Sequence, residues 1–117
     1  MQLKEIAARA GLETLTPELT TELEADVRTA HASDLLSDIL TAAPAGSLAI
    51  TIQAHLNTVA VAVNARLAGI VYAAGRRPGP DVIERAGEER VPLFLALDST
   101  FDVSGRLYEA GLRGVRR

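Results

Sequence analysis

From residue 48 onward the chain repeats one motif three times: a short apolar run followed by a stretch of helical periodicity. The runs are 48–52, 68–73 and 91–97, and the segments after them are 55–67, 81–90 and the stretch opening at Ser99. A run that is apolar at consecutive positions has no face to offer water, so it must be covered on both sides. Strands of that kind alternating with helices define a parallel sheet between two helical layers. The expected fold class is therefore α/β, a single domain with a mainly parallel sheet and helices on both faces. With 117 residues, the chain has the size of one ordinary domain. That is enough to bury roughly 65% of the unfolded surface.

The local signals fill in the remaining elements. Leu3, Ile6, Ala7 and Ala10 fall at helical spacing and Gly11 follows as a stop. Residues 12–15 read as a short strand, 16–26 as a polar connection and 27–32 as a weak strand whose place in the sheet is open. Ser33 or Asp34 is the expected cap of a helix whose buried stripe is Leu35, Leu36, Ile39, Leu40 and Ala43, broken at 44–46. In the helix 55–67, Leu56, Val59, Ala60, Val63 and Leu67 share a face. With Val61 and Ala62 added, burial around much of its circumference is expected. Pro80 suits the first turn of the helix 81–90. Ser99-Thr-Phe-Asp102 has the spacing of a capping box, and the last helix packs Val103, Leu107 and Ala110 before Gly111 ends it.

Composition narrows the function classes. A net charge of −3 disfavours binding to a phosphate backbone. Aromatics at 3% leave few stacking platforms for single strands. The opening Leu-Lys-Glu-Ile-Ala-Ala-Arg-Ala-Gly-Leu at 3–12 resembles the start of a helix-turn-helix reader. The next stretch, 13–26, carries five carboxylates and no basic residue where a recognition helix would stand. No nucleic-acid partner is expected. No apolar run nears the ~20 residues of a membrane span, and Met-Gln-Leu-Lys-Glu-Ile lacks the pattern of a signal peptide. Without cysteine there are no disulfides or thiolate metal sites. The expected location is the cytoplasm.

Chemistry-bearing motifs are sparse. There is no phosphate loop of the Gly-x-x-x-x-Gly-Lys-Ser/Thr type and no Gly-x-Ser-x-Gly elbow. His31 and His55 are the two histidines, and neither has a partner histidine at metal-site spacing. No metal, cofactor or catalytic residue is expected, although His55 with Asp34 or Asp98 is a conceivable general base.

Ligands of parallel sheets gather at the carboxyl ends of the strands. The loops expected there are Gln53-Ala-His55, Gly75-Arg76-Arg77 and Asp98-Ser99-Thr100, each leading into a helix N-terminus that favours anions. The candidate ligand-binding residues are Gln53, His55, Asn57, Arg76, Arg77, Ser99 and Thr100. The plainer reading weighs more: Asp98 and Ser99 as caps, and solvated arginines, because every α/β domain has such an edge.

Five strings in order carry a resemblance. They are Ala-Ser-Asp-Leu-Leu-Ser-Asp at 32–38, Ile-Thr-Ile-Gln-Ala-His-Leu-Asn at 50–57, Leu-Ala-Gly-Ile-Val at 67–71, Gly-Arg-Arg-Pro at 75–78, and Ser-Thr-Phe followed by Ser-Gly-Arg-Leu-Tyr at 104–108. Together they resemble the small stand-alone DRTGG-domain proteins, over essentially all of 1–117. The eponymous Asp-Arg-Thr-Gly-Gly string is absent, and the nearest glycine–arginine loop is 75–79. Relatives of that domain stand beside CBS domains in regulatory pyrophosphatases and within phosphate acetyltransferases. The resemblance implies a non-enzymatic regulatory or accessory module that forms a homodimer. The alternative is a sensor of a nucleotide or other small anion, with a protein partner also conceivable.

Overall fold

In a computed structural model describing residues 1–115, apolar periodicity becomes layers. The elements are α1 (Leu3–Ala10), β1 (Glu13–Thr14), a short 3-10 turn (Glu22–Glu24), β2 (Ala30–Ala32), α2 (Leu36–Ala42), β3 (Leu48–Thr51), α3 (Asn57–Ala65), β4 (Gly69–Tyr72), α4 (Pro80–Glu88), β5 (Leu93–Leu95) and α5 (Thr100–Glu109). The strands form one five-stranded sheet ordered β1-β5-β4-β3-β2. β2 to β5 run parallel, and β1 pairs antiparallel with β5, Glu13 opposite Leu95. The α/β class, the mainly parallel sheet and the helices on both faces are as expected.

Because β2, β3, β4 and β5 are consecutive neighbours, their connections all step the same way. Connections of one hand then place α2, α3 and α4 on one face. Alternation along the strands divides the core accordingly. Ile70, Tyr72, Leu93 and Leu95 pack with Val59, Ala62, Val82 and Ala86 of α3 and α4. Ala49 meets Ile39 of α2. Leu48, Ile50, Val71 and Phe94 point the other way, onto Leu3 and Ile6 of α1 and Val103 and Leu107 of α5. Three helices thus cover one face and two cover the other.

Two helices correct the sequence reading. In α2, Leu35 and Leu40 are exposed and only Ile39 is fully buried. Neither Ser33 nor Asp34 caps it. Leu35 occupies the N-cap without a side-chain bond, Ser33 Oγ accepts from Leu35 N at 3.2 Å, and Asp34 Oδ1 accepts from Ile52 N at 3.0 Å. In α3, the buried residues are Thr58, Val59 and Ala62, while Leu56, Ala60 and Val63 face solvent. The helix has two apolar stripes and the sheet takes only one. α3 also begins at Asn57, because the 3-10-like bonds from Thr58 and Val59 to His55 and Leu56 precede it. β5 stops at Leu95, which leaves Leu97 exposed rather than in the strand. After α1 the chain enters β1, not a second helix.

Candidate functional site

The carboxyl ends of β2 to β5 lie along one edge. β4 leads into α4 on one face and β5 into α5 on the other, so the chain leaves these two neighbouring strands toward opposite faces, the place where open parallel sheets hold ligands. The two loops are tied to each other. Ala74 N donates to Asp98 O at 2.7 Å, and Gly75 N donates to Ala96 O at 2.9 Å. The tie needs an abrupt turn at the end of β4, and Ala74 (φ 56°) and Gly75 (φ 68°) both adopt the left-handed conformation to make it. Glycine does so freely. Alanine does so at a cost of about 1 kcal/mol, which marks the turn as held by its surroundings.

Arg76 and Arg77 follow this turn, and both are exposed. Arg77 is engaged: its Nη2 donates to both carboxylate oxygens of Glu13, at 2.8 and 3.1 Å. The antiparallel pairing of β1 with β5 delivers Glu13 to this edge. Arg76 has no ion pair among the described residues, so its charge is the one of the pair left available. On the loop after β5, Ser99 is the N-cap of α5 and its Oγ accepts from Asp102 N at 3.3 Å. Thr100 is the first residue of that helix, half-buried. Asp98 does not cap; it accepts from Arg106 Nη1 at 2.6 Å, while Arg106 Nε donates to Ala10 O.

Gln53, His55 and Asn57 belong to the neighbouring β3 loop. Gln53 is half-buried, and its N–H donates to Thr51 Oγ1 at 3.1 Å. His55 is exposed and its ring has no hydrogen-bond partner among the described residues; its carbonyl accepts from Thr58 Oγ1 at 2.8 Å. Asn57 opens α3 and faces the groove between α3 and α4. Arg76 and Arg77 thus follow β4, Ser99 and Thr100 follow the neighbouring β5, and Gln53, His55 and Asn57 follow β3 on its other side.

Beneath the β3 loop runs a buried relay that sequence reasoning missed. Thr58 Oγ1 spends its proton on His55 O, so it accepts from the Tyr72 hydroxyl at 2.7 Å. Burial pushes the Tyr72 hydroxyl up to about 12, against a lowering by Thr58. A tyrosine in an apolar run signals a polar tip needing a partner, and that signal was present at position 72. The histidine–carboxylate pair of this fold is likewise not His55 with Asp34 or Asp98. It is His31 of β2 with Asp38 of α2, Nε2 to Oδ2 at 2.8 Å, both half-buried.

This architecture is that of a single α/β domain with a five-stranded, mainly parallel sheet. The structure is similar to the CBS and DRTGG domains of the regulatory region of Clostridium perfringens pyrophosphatase, solved in complex with an activator, diadenosine tetraphosphate. The TM-score is 0.72 at 13% identity, over 95% of this chain and 47% of that one. The chain spans about half the length of that neighbour, and it has a DRTGG-like fold. No family model and no curated protein matches the sequence. Among the described residues no helix is long and apolar enough to cross a membrane.

Proposed function

We propose that residues 1–117 are one DRTGG-like domain that works as a non-enzymatic regulatory module in the cytoplasm, as a homodimer. The observation that carries the reading is the fold shared with a regulatory region over 95% of this chain. A module of that kind transmits a state rather than performing a reaction, so it needs a partner surface and no nucleophile. Sedimentation velocity over a concentration series tests the assembly. A dimer at micromolar concentration is expected, and a strict monomer would count against the reading.

A second reading is favoured by the strand ends of β4 and β5, where the chain leaves toward opposite faces: the module senses a nucleotide or other small anion there. Arg76 supplies an uncommitted guanidinium on the loop after β4, and the loop after the neighbouring β5 leads into α5, a helix N-terminus of the kind that favours anions. Gln53, His55, Asn57, Arg77, Ser99 and Thr100 would line or support the site. The neighbour's complex with a dinucleoside polyphosphate makes adenine nucleotides the first ligands to try. At a hundred times its dissociation constant a ligand adds about 2.7 kcal/mol of stability. The test is a thermal-shift screen of adenine nucleotides and acyl phosphates. A shift that disappears in Arg76→Ala supports the site, and no shift with any of them removes it.

A further inference from the structure

The chain has four aromatic residues. Tyr72 and Phe94 are buried in the core. The other two, Phe101 and Tyr108, stand on the outer face of α5, 84% and 58% exposed. Between them lies Gly105, where an added Cβ would meet nothing within 4 Å. Nothing among the described residues therefore requires a glycine there, and an exposed mid-helix glycine costs about 1 kcal/mol relative to alanine. Phe101, Gly105 and Tyr108 share one face at i, i+4 and i+7 spacing. Phe101 and Tyr108 are equidistant in sequence from the Ser104–Gly105 pair, giving a large–small–large pattern that is symmetric about its centre.

Beside the C-terminal half of this ridge the sheet is incompletely covered. Only α1 and α5 lie on this face, and the edge strand β2 contributes alanine at both inward positions, Ala30 and Ala32. The result is a mainly apolar trough of about 140 Å³ between β2 and α5, walled also by Ile50, Leu107, Tyr108 and Leu112. Apolar cavities of about 150 Å³ accept a benzene ring.

We infer that a second copy of this chain docks here, α5 against α5 in antiparallel array, with Ser104 and Gly105 at the crossing. The phenyl ring of Phe101 from each copy enters the trough beside Tyr108 of the other. This rests on the homodimer reading and names its interface. The contact is isologous: knob and hole are on one chain, placed at opposite ends of one symmetric segment, so a two-fold axis satisfies both at once and closes the assembly. Charge agrees. The first half of the α5 segment carries Asp98 and Asp102, whereas the second carries Arg106, Glu109 and Arg113. Arg106 is already bonded to Asp98 of its own chain, and the Arg113 guanidinium stacks 3.8 Å over the Tyr108 ring with no carboxylate partner among the described residues. Antiparallel pairing brings the acidic half of one copy to Arg113 of the other and opposes the two helix dipoles.

The rival apolar surface, Leu56, Ala60 and Val63 on α3, lines the groove between α3 and α4 but has no projecting ring to fill that groove on a second copy, and it serves as the control. The experiment is sedimentation equilibrium on the whole chain and three variants from about 1 to 100 µM, with circular dichroism melts of each. Phe101→Asp, on an exposed side chain, is expected to keep its fold and weaken dimerisation at least tenfold. Gly105→Leu is expected to melt higher than wild type, yet also to dimerise at least tenfold more weakly. Those opposite movements cannot come from misfolding. Val63→Asp is expected to dimerise as wild type does. A wild-type dimer unaffected by Phe101→Asp and Gly105→Leu overturns the α5 interface and leaves the homodimer reading standing. Dissociation by Val63→Asp alone moves the interface to α3 and also overturns it. A wild-type monomer throughout overturns both readings.

Discussion

At the residue scale, the Tyr72–Thr58–His55 relay has unequal links. Tyr72 donates to Thr58 Oγ1, and Thr58 donates onward to a backbone carbonyl in the β3 loop. Thr58→Val deletes the acceptor and leaves a buried phenol with no partner, which should cost about 1–3 kcal/mol in urea unfolding. Tyr72→Phe removes only a donor, and Thr58 keeps its bond to His55 O, so about 1 kcal/mol is expected. In the double variant neither orphan remains, and the measured loss should fall short of the sum. Tyr72 also has a pH signature. Its hydroxyl is raised from 10.0 to about 12 by burial, so above pH 10 the unfolded chain releases a proton that the folded one retains. Stability therefore falls as pH rises through that window, and Tyr72→Phe should flatten the alkaline limb. Gly69 makes a steric case beside it. A Cβ there would sit 2.8 Å from Pro92 O, a backbone atom that cannot swing away, so Gly69→Ala should destabilise by about 1–3 kcal/mol.

At the element scale, what was legible was local. Gly11 ends α1 in the left-handed conformation, Pro80 opens α4 and Ser99 caps α5, because a cap is decided by the few residues around it. What was not legible was which apolar stripe of α3 faces the sheet. Leu56, Ala60 and Val63 have the same periodicity as a core face, and only the positions of β3 and β4 under the helix select Thr58, Val59 and Ala62 instead. Asp34 was misread for the same reason: as a cap it would act within its own loop, but parallel pairing of β2 with β3 puts Ile52 N in its reach. Paired substitutions measure the choice of face. Val59→Ala should cost about 2 kcal/mol, whereas Val63→Lys should stay within about 0.5 kcal/mol of wild type. Equal losses in chemical denaturation at the two positions would mean that both stripes are buried.

At the scale of the whole molecule, ion pairs join residues that lie far apart in the sequence. Arg77 meets Glu13 because β1 returns alongside β5, and half of the arginine pair read from the sequence as a site is neutralised by that return. Arg90 at the end of α4 likewise reaches Glu22 in the 3-10 turn of the N-terminal connection, with bonds of 2.7 and 2.8 Å to the two carboxylate oxygens. The hydrogen bond from Arg90 holds the Glu22 carboxyl below its ordinary value of 4.5. In the unfolded chain that carboxyl takes up a proton at a higher pH than in the folded one. The contribution of the pair is therefore complete above pH 4.5, and it is lost as pH falls through the lower folded value. The pair is open to solvent, so its share is small and salt should reduce it. Glu22→Gln should thus lower the melting temperature slightly at pH 7, and by less as pH falls below 4.5, narrowing the difference between the two. The wild-type gap should shrink toward that of the variant in 1 M salt. A variant that melts below wild type by the same margin above and below pH 4.5 would show that Glu22 acts through packing of the N-terminal connection rather than through its charge.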